Sequence, residues 1–104
     1  MSLTRRLELH EKLCSILGSR QCYYNPPMGL KLKYPCIVYK PRRPDTLEAD
    51  NATYLKRDHY IVTTMTLDPD NDLADRIVDA FSYAEIENYS TYDNICHTLI
   101  NLYY

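Results

Sequence analysis

The sequence predicts an α+β domain: an antiparallel β-sheet with two helices packed on one face and a long extended loop between two strands. Three observations lead there. Apolar residues recur at helical spacing in two separated stretches, and shorter stretches between and after them are β-branched or alternating. The elements follow one another as helix, strands, helix, strands, without the βαβ repetition of a parallel sheet. The chain has 104 residues, the size of a single domain, read as 1–104, which can bury roughly 65% of the surface its unfolded chain exposes.

The first helix spans residues 2–17. Leu3, Leu7, Leu13, Cys14 and Leu17 form its apolar stripe, Arg5, Arg6, Glu8, Glu11 and Lys12 occupy the other sides, and Gly18 supplies the stop. In "QCYYNPPMGLKLKYP", Asn25-Pro26-Pro27 and Gly29 punctuate a short strand and a loop, because a residue before proline is pushed out of the helical region. "CIVYK", residues 36–40, is a β-branched strand. Pro35 and Pro41 bound it and mark where ladder hydrogen bonding should fail.

"YIVTTMTL", residues 60–67, reads as a central strand antiparallel to the preceding one. One face carries Tyr60, Val62, Thr64 and Thr66, the other Ile61, Thr63, Met65 and Leu67. "DPDNDLADRIVDAF" then starts a helix. Asp68 is placed to cap, Pro69 fits the first helical position, Asp70 and Asp72 sit at the positive end of the dipole, and Leu73, Ile77, Val78 and Phe81 make the stripe. Two further strands, near 83–90 and 95–103, are joined by a turn at Tyr92-Asp93-Asn94.

Composition narrows the function classes. Hydrophobic residues at 45%, charged residues at 25% and a net charge of −2 are ordinary for a soluble globular protein and favour no polyanionic partner. The N-terminus lacks an uninterrupted apolar run, which argues against a signal peptide or membrane span and for synthesis and retention in the cytosol. Cys14, Cys22, Cys36 and Cys96 form no CxxC pair and are expected to be reduced and mostly buried. Eleven Tyr stand against one Phe and no Trp, a balance suited to half-buried sheet faces and subunit interfaces more than to a dry core.

Catalytic and metal patterns are poorly supported. His10 and Cys14 are four apart on the first helix, and Cys96 and His97 adjoin on the last strand. Adjacent strand residues point to opposite faces, however, and the closely spaced ligand pairs of zinc sites are missing. "DPDNDLAD" resembles the opening of an EF-hand loop, but Leu73 stands where its glycine belongs and Ala80 where its last glutamate belongs. With two glycines, no phosphate loop and no GxSxG, no enzymatic activity, cofactor or metal is expected.

The most unusual stretch is "YKPRRPDTLEADNATYLKRDHY", residues 39–60, because the loop between its strands far exceeds the 2–5 residues usual for a hairpin. Arg42, Arg43, Lys56 and Arg57 invite a nucleic-acid reading. Asp45, Glu48, Asp50 and Asp58 balance them, so residues 41–59 carry no net formal charge. Phosphate contacts need an uncompensated basic surface, so sequence-specific nucleic-acid binding is not expected. Balanced charge suits reciprocal ion pairs with a copy of the chain or a neighbour.

"YPCIVYK", "ADNATYLKRDHYIVTTMTLDPDNDLADRI" and "YDNICHTLINLYY" resemble, in that order, short structural proteins of the head-to-tail module of long-tailed phages and prophages of Gram-positive bacteria, described as tail terminator, tail completion or minor capsid proteins. The shared pattern covers residues 34–104. It comprises Tyr34-Pro35 before a strand, Ala49-Asp50-Asn51 and Tyr54 in the loop, Tyr60 and Val62 in the next strand, Asp68-Pro69-Asp70 opening a helix, and Tyr103-Tyr104 closing a strand. The first 33 residues match only in kind.

The resemblance implies a virion protein without enzymatic activity, made in the bacterial cytoplasm and placed at the head-tail interface. Tail terminators of this class are α+β proteins that form a hexameric ring on the tail tube, stop its growth and meet the connector. The implied partners are further copies of the chain, the tail tube protein and the connector or stopper protein, and a neck role as head completion or stopper protein is the nearest alternative. A ring requires one patch to meet a different patch on the next copy. The loop from about residue 41 to 53 is the expected contact, through Arg42, Arg43, Asp45, Glu48, Asp50 and Asn51, with Tyr54 anchoring its return. Two readings from other classes are a small binding protein that never enters the virion and a small zinc module.

Overall fold

The computed structural model describes residues 3–26, 29, 31–42 and 59–104. Its elements are α1 (Leu3–Leu17), β1 (Cys22–Tyr24), β2 (Cys36–Pro41), β3 (His59–Thr66), α2 (Leu73–Ala80), β4 (Ala84–Tyr92) and β5 (Ile95–Tyr103). The fold is α+β, with one five-stranded sheet in the order β1-β2-β3-β5-β4. As expected, β3 is central and antiparallel to β2, Ile37 standing beside Thr64 and Tyr39 beside Val62.

The sheet is mixed, which corrects the purely antiparallel expectation. β1 runs parallel to β2, with Cys22 beside Ile37 and Tyr24 beside Tyr39. Parallel neighbours need a connection long enough to run back along the strand. The segment 25–35 supplies it, with left-handed turns at Asn25 (φ 46°) and Gly29 (φ 87°). Pairing also does not fail at Pro41, which stands beside Tyr60 inside β2. Because the Arg42 N–H donates to the His59 carbonyl at 2.8 Å, the alternation of the ladder turns the Pro41 nitrogen away from β3, toward the side where β1 has already ended.

Register places Ile37, Tyr39, Tyr60, Val62, Thr64, Thr98, Ile100 and Leu102 on one face. Both helices cover that face: Leu9, Leu13 and Cys14 of α1 and Leu73, Ala74 and Ile77 of α2 join Ile37, Tyr39, Tyr60, Val62, Ile100 and Leu102 in one core. Burial along β3 alternates residue by residue, so the face carrying Tyr60, Val62, Thr64 and Thr66 is the inner one. On the opposite face Val38, Ile61, Thr63, Met65 and Leu99 are half-buried.

The α1 stripe differs from the sequence expectation. Leu7 is 51% exposed whereas Leu9 is fully buried; Ser2 and the side chain of Leu3 lie outside the described residues. Leu9, Leu13, Ile16 and Leu17 follow one another at spacings of four, three and one, and this is the row that faces the sheet. Gly18, at φ 82°, ends the helix with its N–H on the Cys14 carbonyl at 2.8 Å.

The second helix begins at Leu73, later than expected, and Asp68 does not cap it. The Asp68 carboxylate instead accepts the Asp70 N–H at 2.9 Å, and its carbonyl accepts the Thr66 hydroxyl and the Asn71 N–H at 3.1 Å. Such local side-chain bonds compete with helix formation and build a turn. Asn71 then accepts the Leu73 N–H at 2.7 Å at the helix entry. Leu73, Ile77 and Phe81 are buried as expected and Val78 partly so. Phe81 lies just past the helix in extended backbone. Arg76 donates to the Ile16 carbonyl at 2.9 Å, tying α2 to the C-terminal turn of α1.

β4 and β5 form the expected hairpin. Asp93 (φ 54°) and Asn94 (φ 61°) make a two-residue turn with both centres left-handed, the type I′ geometry that matches strand twist.

Tyr39 and Tyr60 depart from the expectation that tyrosine stays half-buried: both are 0% exposed. They pack edge to face at 6.1 Å, with Tyr24 at 5.1 Å from Tyr39. A buried phenol needs a polar partner. The Tyr39 hydroxyl has one in His10 Nδ1 at 2.7 Å, and burial pushes its pKa up to about 12.

Candidate functional site: the root of the β2–β3 connection

β2 ends at Pro41 and β3 begins at His59, so residues 42–58 leave and return at one end of this strand pair. The backbone bond from Arg42 to His59 closes that end. On the sheet face turned away from the helices, Asn101 stands beside Ile61 and Glu85, between the core residues Ile100 and Leu102 along β5. It is 9% exposed although polar, so its amide needs partners.

Those partners come from two other strands, β4 and β3. Asn101 Nδ2 donates to Glu87 Oε1 at 2.9 Å. Since a carboxylate only accepts, this orientation turns Asn101 Oδ1 toward His59, whose Nε2 therefore donates to it at 2.9 Å. Glu87 Oε1 also lies 3.6 Å from Arg42 Nη1. Register shifts between Ile86 and Asn88, so Glu87 is the extra residue of a bulge, a device that re-aims a side chain. The His59 ring stacks on Tyr103 at 4.3 Å with planes 15° apart. Arg42, Glu87, Asn101, His59 and Tyr103 thus tie both ends of the connection to β4 and β5.

Burial is the main influence on His59 and lowers its pKa from 6.5. The Asn101 hydrogen bond opposes this, Arg42 lowers it further and Glu87 raises it. The folded chain therefore binds fewer protons at this site than the unfolded chain as pH falls through 6.5, so stability rises with pH there. His59 contributes fully above pH 6.5, and its contribution falls as pH drops toward its lowered folded pKa. In chemical denaturation between pH 5 and 7, His59→Gln is expected to show a shallower rise in stability than wild type. Parallel curves would refute this role.

Of the residues expected to form a contact loop, Arg42 is at this root and is paired within its own chain. Arg43, Asp45, Glu48, Asp50, Asn51 and Tyr54 lie outside the described residues, as does the rest of the segment expected to carry the ion pairs. His59, Glu87, Asn101 and Tyr103 were not among the expected site residues. A polar Asn101 between apolar neighbours was a visible signal; the bulge that delivers Glu87 has none.

The residues weighed as zinc ligands are not gathered. His10 is on Tyr39, Cys14 is in the core, and Cys96 and His97 occupy alternate faces of β5. Among the described residues no cluster of three or more metal-ligating side chains occurs. All four cysteines are free thiols, Cys14, Cys22 and Cys36 buried and Cys96 partly so. Burial pushes the Cys36 thiol up to about 11 and raises Cys22, which also has Cys14 beside it. The Cys22 and Cys36 thiols are therefore protonated and unreactive near neutrality.

No protein-family model, curated protein or solved structure is matched by this chain. No helix among the described residues is long and apolar enough to cross a membrane.

Proposed function

We propose that this chain is a virion structural protein of the phage head-to-tail module, acting as a tail terminator or tail completion protein. The reading rests first on the ordered resemblance across residues 34–104. The observation that carries it is where those motifs fall. Tyr34-Pro35 enters β2, Tyr60 and Val62 are buried in the central strand, Asp68-Pro69-Asp70 builds the turn into α2, and Tyr103 closes β5. The described part of the pattern thus falls on the framework at the two ends of residues 42–58, with Tyr103 at the root itself, while Ala49-Asp50-Asn51 and Tyr54 lie outside the described residues.

A rigid sheet holding both ends of a long connection offers two unlike surfaces, the geometry a closed ring of copies requires. The connection meets the neighbouring subunit, tail tube or connector, while the root holds its two ends together. The arrangement needs no catalytic group.

Deleting residues 44–52 tests the reading. The shortened protein is expected to fold, by circular dichroism and a cooperative melt, but to leave heads and tails unjoined in electron micrographs of phage lysates. Normal infectious particles from the deletion would overturn it. Mass spectrometry of purified particles should detect the chain; its absence there would favour a binding protein that stays outside the virion.

A further inference from the structure

A second feature lies on the helix-covered face, at the far end of the sheet from the 42–58 root. Thr64 and Thr98 stand side by side on β3 and β5 and are 3% and 9% exposed. Together with Thr66, Asp68 and Asp75 they line a cleft of about 420 Å³, with Tyr89 of β4 at its edge. Tyr89 is itself largely exposed.

Three properties of the cleft point to one class of ligand. The hydroxyls of Thr64 and Thr98 form no hydrogen bond with any described residue and are not sealed from the cleft, so their hydrogen-bonding capacity is open to a ligand. Acids dominate the surroundings: residues 68–79 contain Asp68, Asp70, Asp72, Asp75 and Asp79 against Arg76, five negative charges and one positive. Arg76 does not compensate the cleft, because it is held by Asp72 at 3.1 Å and by the Ile16 carbonyl. Among the described residues no lysine or arginine lines the cavity.

We propose that this cleft receives an arginine side chain of a partner protein. A guanidinium carries five N–H donors and no acceptor, matching a wall of hydroxyls and carboxylates. Two carboxylates supply charge-assisted bonds, and an exposed phenol ring at the edge offers a face for stacking. An ammonium would satisfy fewer of these acceptors, and an anion would meet only repulsion. The site is separate from the root of the connection and needs none of its residues.

The test uses the intact protein, labelled with ¹⁵N, and Nα-acetyl-arginine-N-methylamide as probe, with the neutral isostere Nα-acetyl-citrulline-N-methylamide as control. Saturable shifts are expected at the amides of Thr64, Thr66, Thr98 and Asp75, with at least tenfold weaker binding of the citrulline compound. Asp75→Asn, on an exposed helix position, should weaken arginine binding severalfold without changing the folded spectrum elsewhere, and Thr98→Val should do the same. Absence of saturable shifts at these amides, equal binding of the two probes, or unchanged affinity in Asp75→Asn would each overturn the proposal.

Discussion

Leu9→Ala is expected to lower the free energy of unfolding by about 2–5 kcal/mol, the range for truncating a fully buried leucine, whereas Leu7→Ala stays within about 0.5 kcal/mol. Urea denaturation of the two variants measures both. The residues are two apart on one helix and identical in type, so helix propensity cancels and the difference isolates burial. Leu9 is fully enclosed in the core shared by the sheet and both helices, and Leu7 points largely into solvent. Equal losses, or a larger loss at Leu7, would mean that α1 faces the sheet through a different row.

Asn101→Leu is expected to cost about 1–3 kcal/mol, the penalty of leaving hydrogen-bonding groups without partners in a part-buried setting. The new side chain is similar in size, so little of the loss comes from a cavity. It removes the acceptor of His59 and the donor to Glu87 together. The Arg42–Glu87 pair cannot replace that circuit, being a 3.6 Å contact between groups about half exposed, a class worth about 0–1 kcal/mol. A second readout separates the role at the root from general destabilisation. The Arg42 amide, which donates to His59, should exchange with solvent faster relative to the Ile37 amide, which donates to Gln21 at the β1 edge. If both accelerate together, Asn101 supports the sheet as a whole and not the root.

These two residues also show what could be read from the chain. The hairpin of β4 and β5 was legible because its turn is local: Asp93 and Asn94 tolerate left-handed backbone, and two adjacent positive φ angles determine the reversal. Strand β3 was legible because it is rich in β-branched residues, although only the packed structure shows which of its two faces is inner. Helix α1 was legible as a helix, yet its buried row was not. Leu3, Leu7, Leu9, Leu13 and Leu17 supply more than one plausible stripe, and only the packed sheet selects among them. Asp68-Pro69-Asp70 misled for a related reason. A helix cap and an Asx turn draw on the same residue types, and the Asp70 N–H decides between them.

Local chemistry along the chain therefore determined the kinds of element, their order, the tight hairpin and the α+β class, since propensity, capping and turn preference act over a few residues. The tertiary structure alone decided that β1 lies parallel to β2, that Leu9 and not Leu7 faces the sheet, that a bulge delivers Glu87 to Asn101, and that two threonines share the wall of an acidic cleft. Each of these depends on groups brought together from distant parts of the chain. Asn101 and His59 are 42 residues apart and meet at 2.9 Å; strand register sets that meeting, and register is a property of the packed sheet.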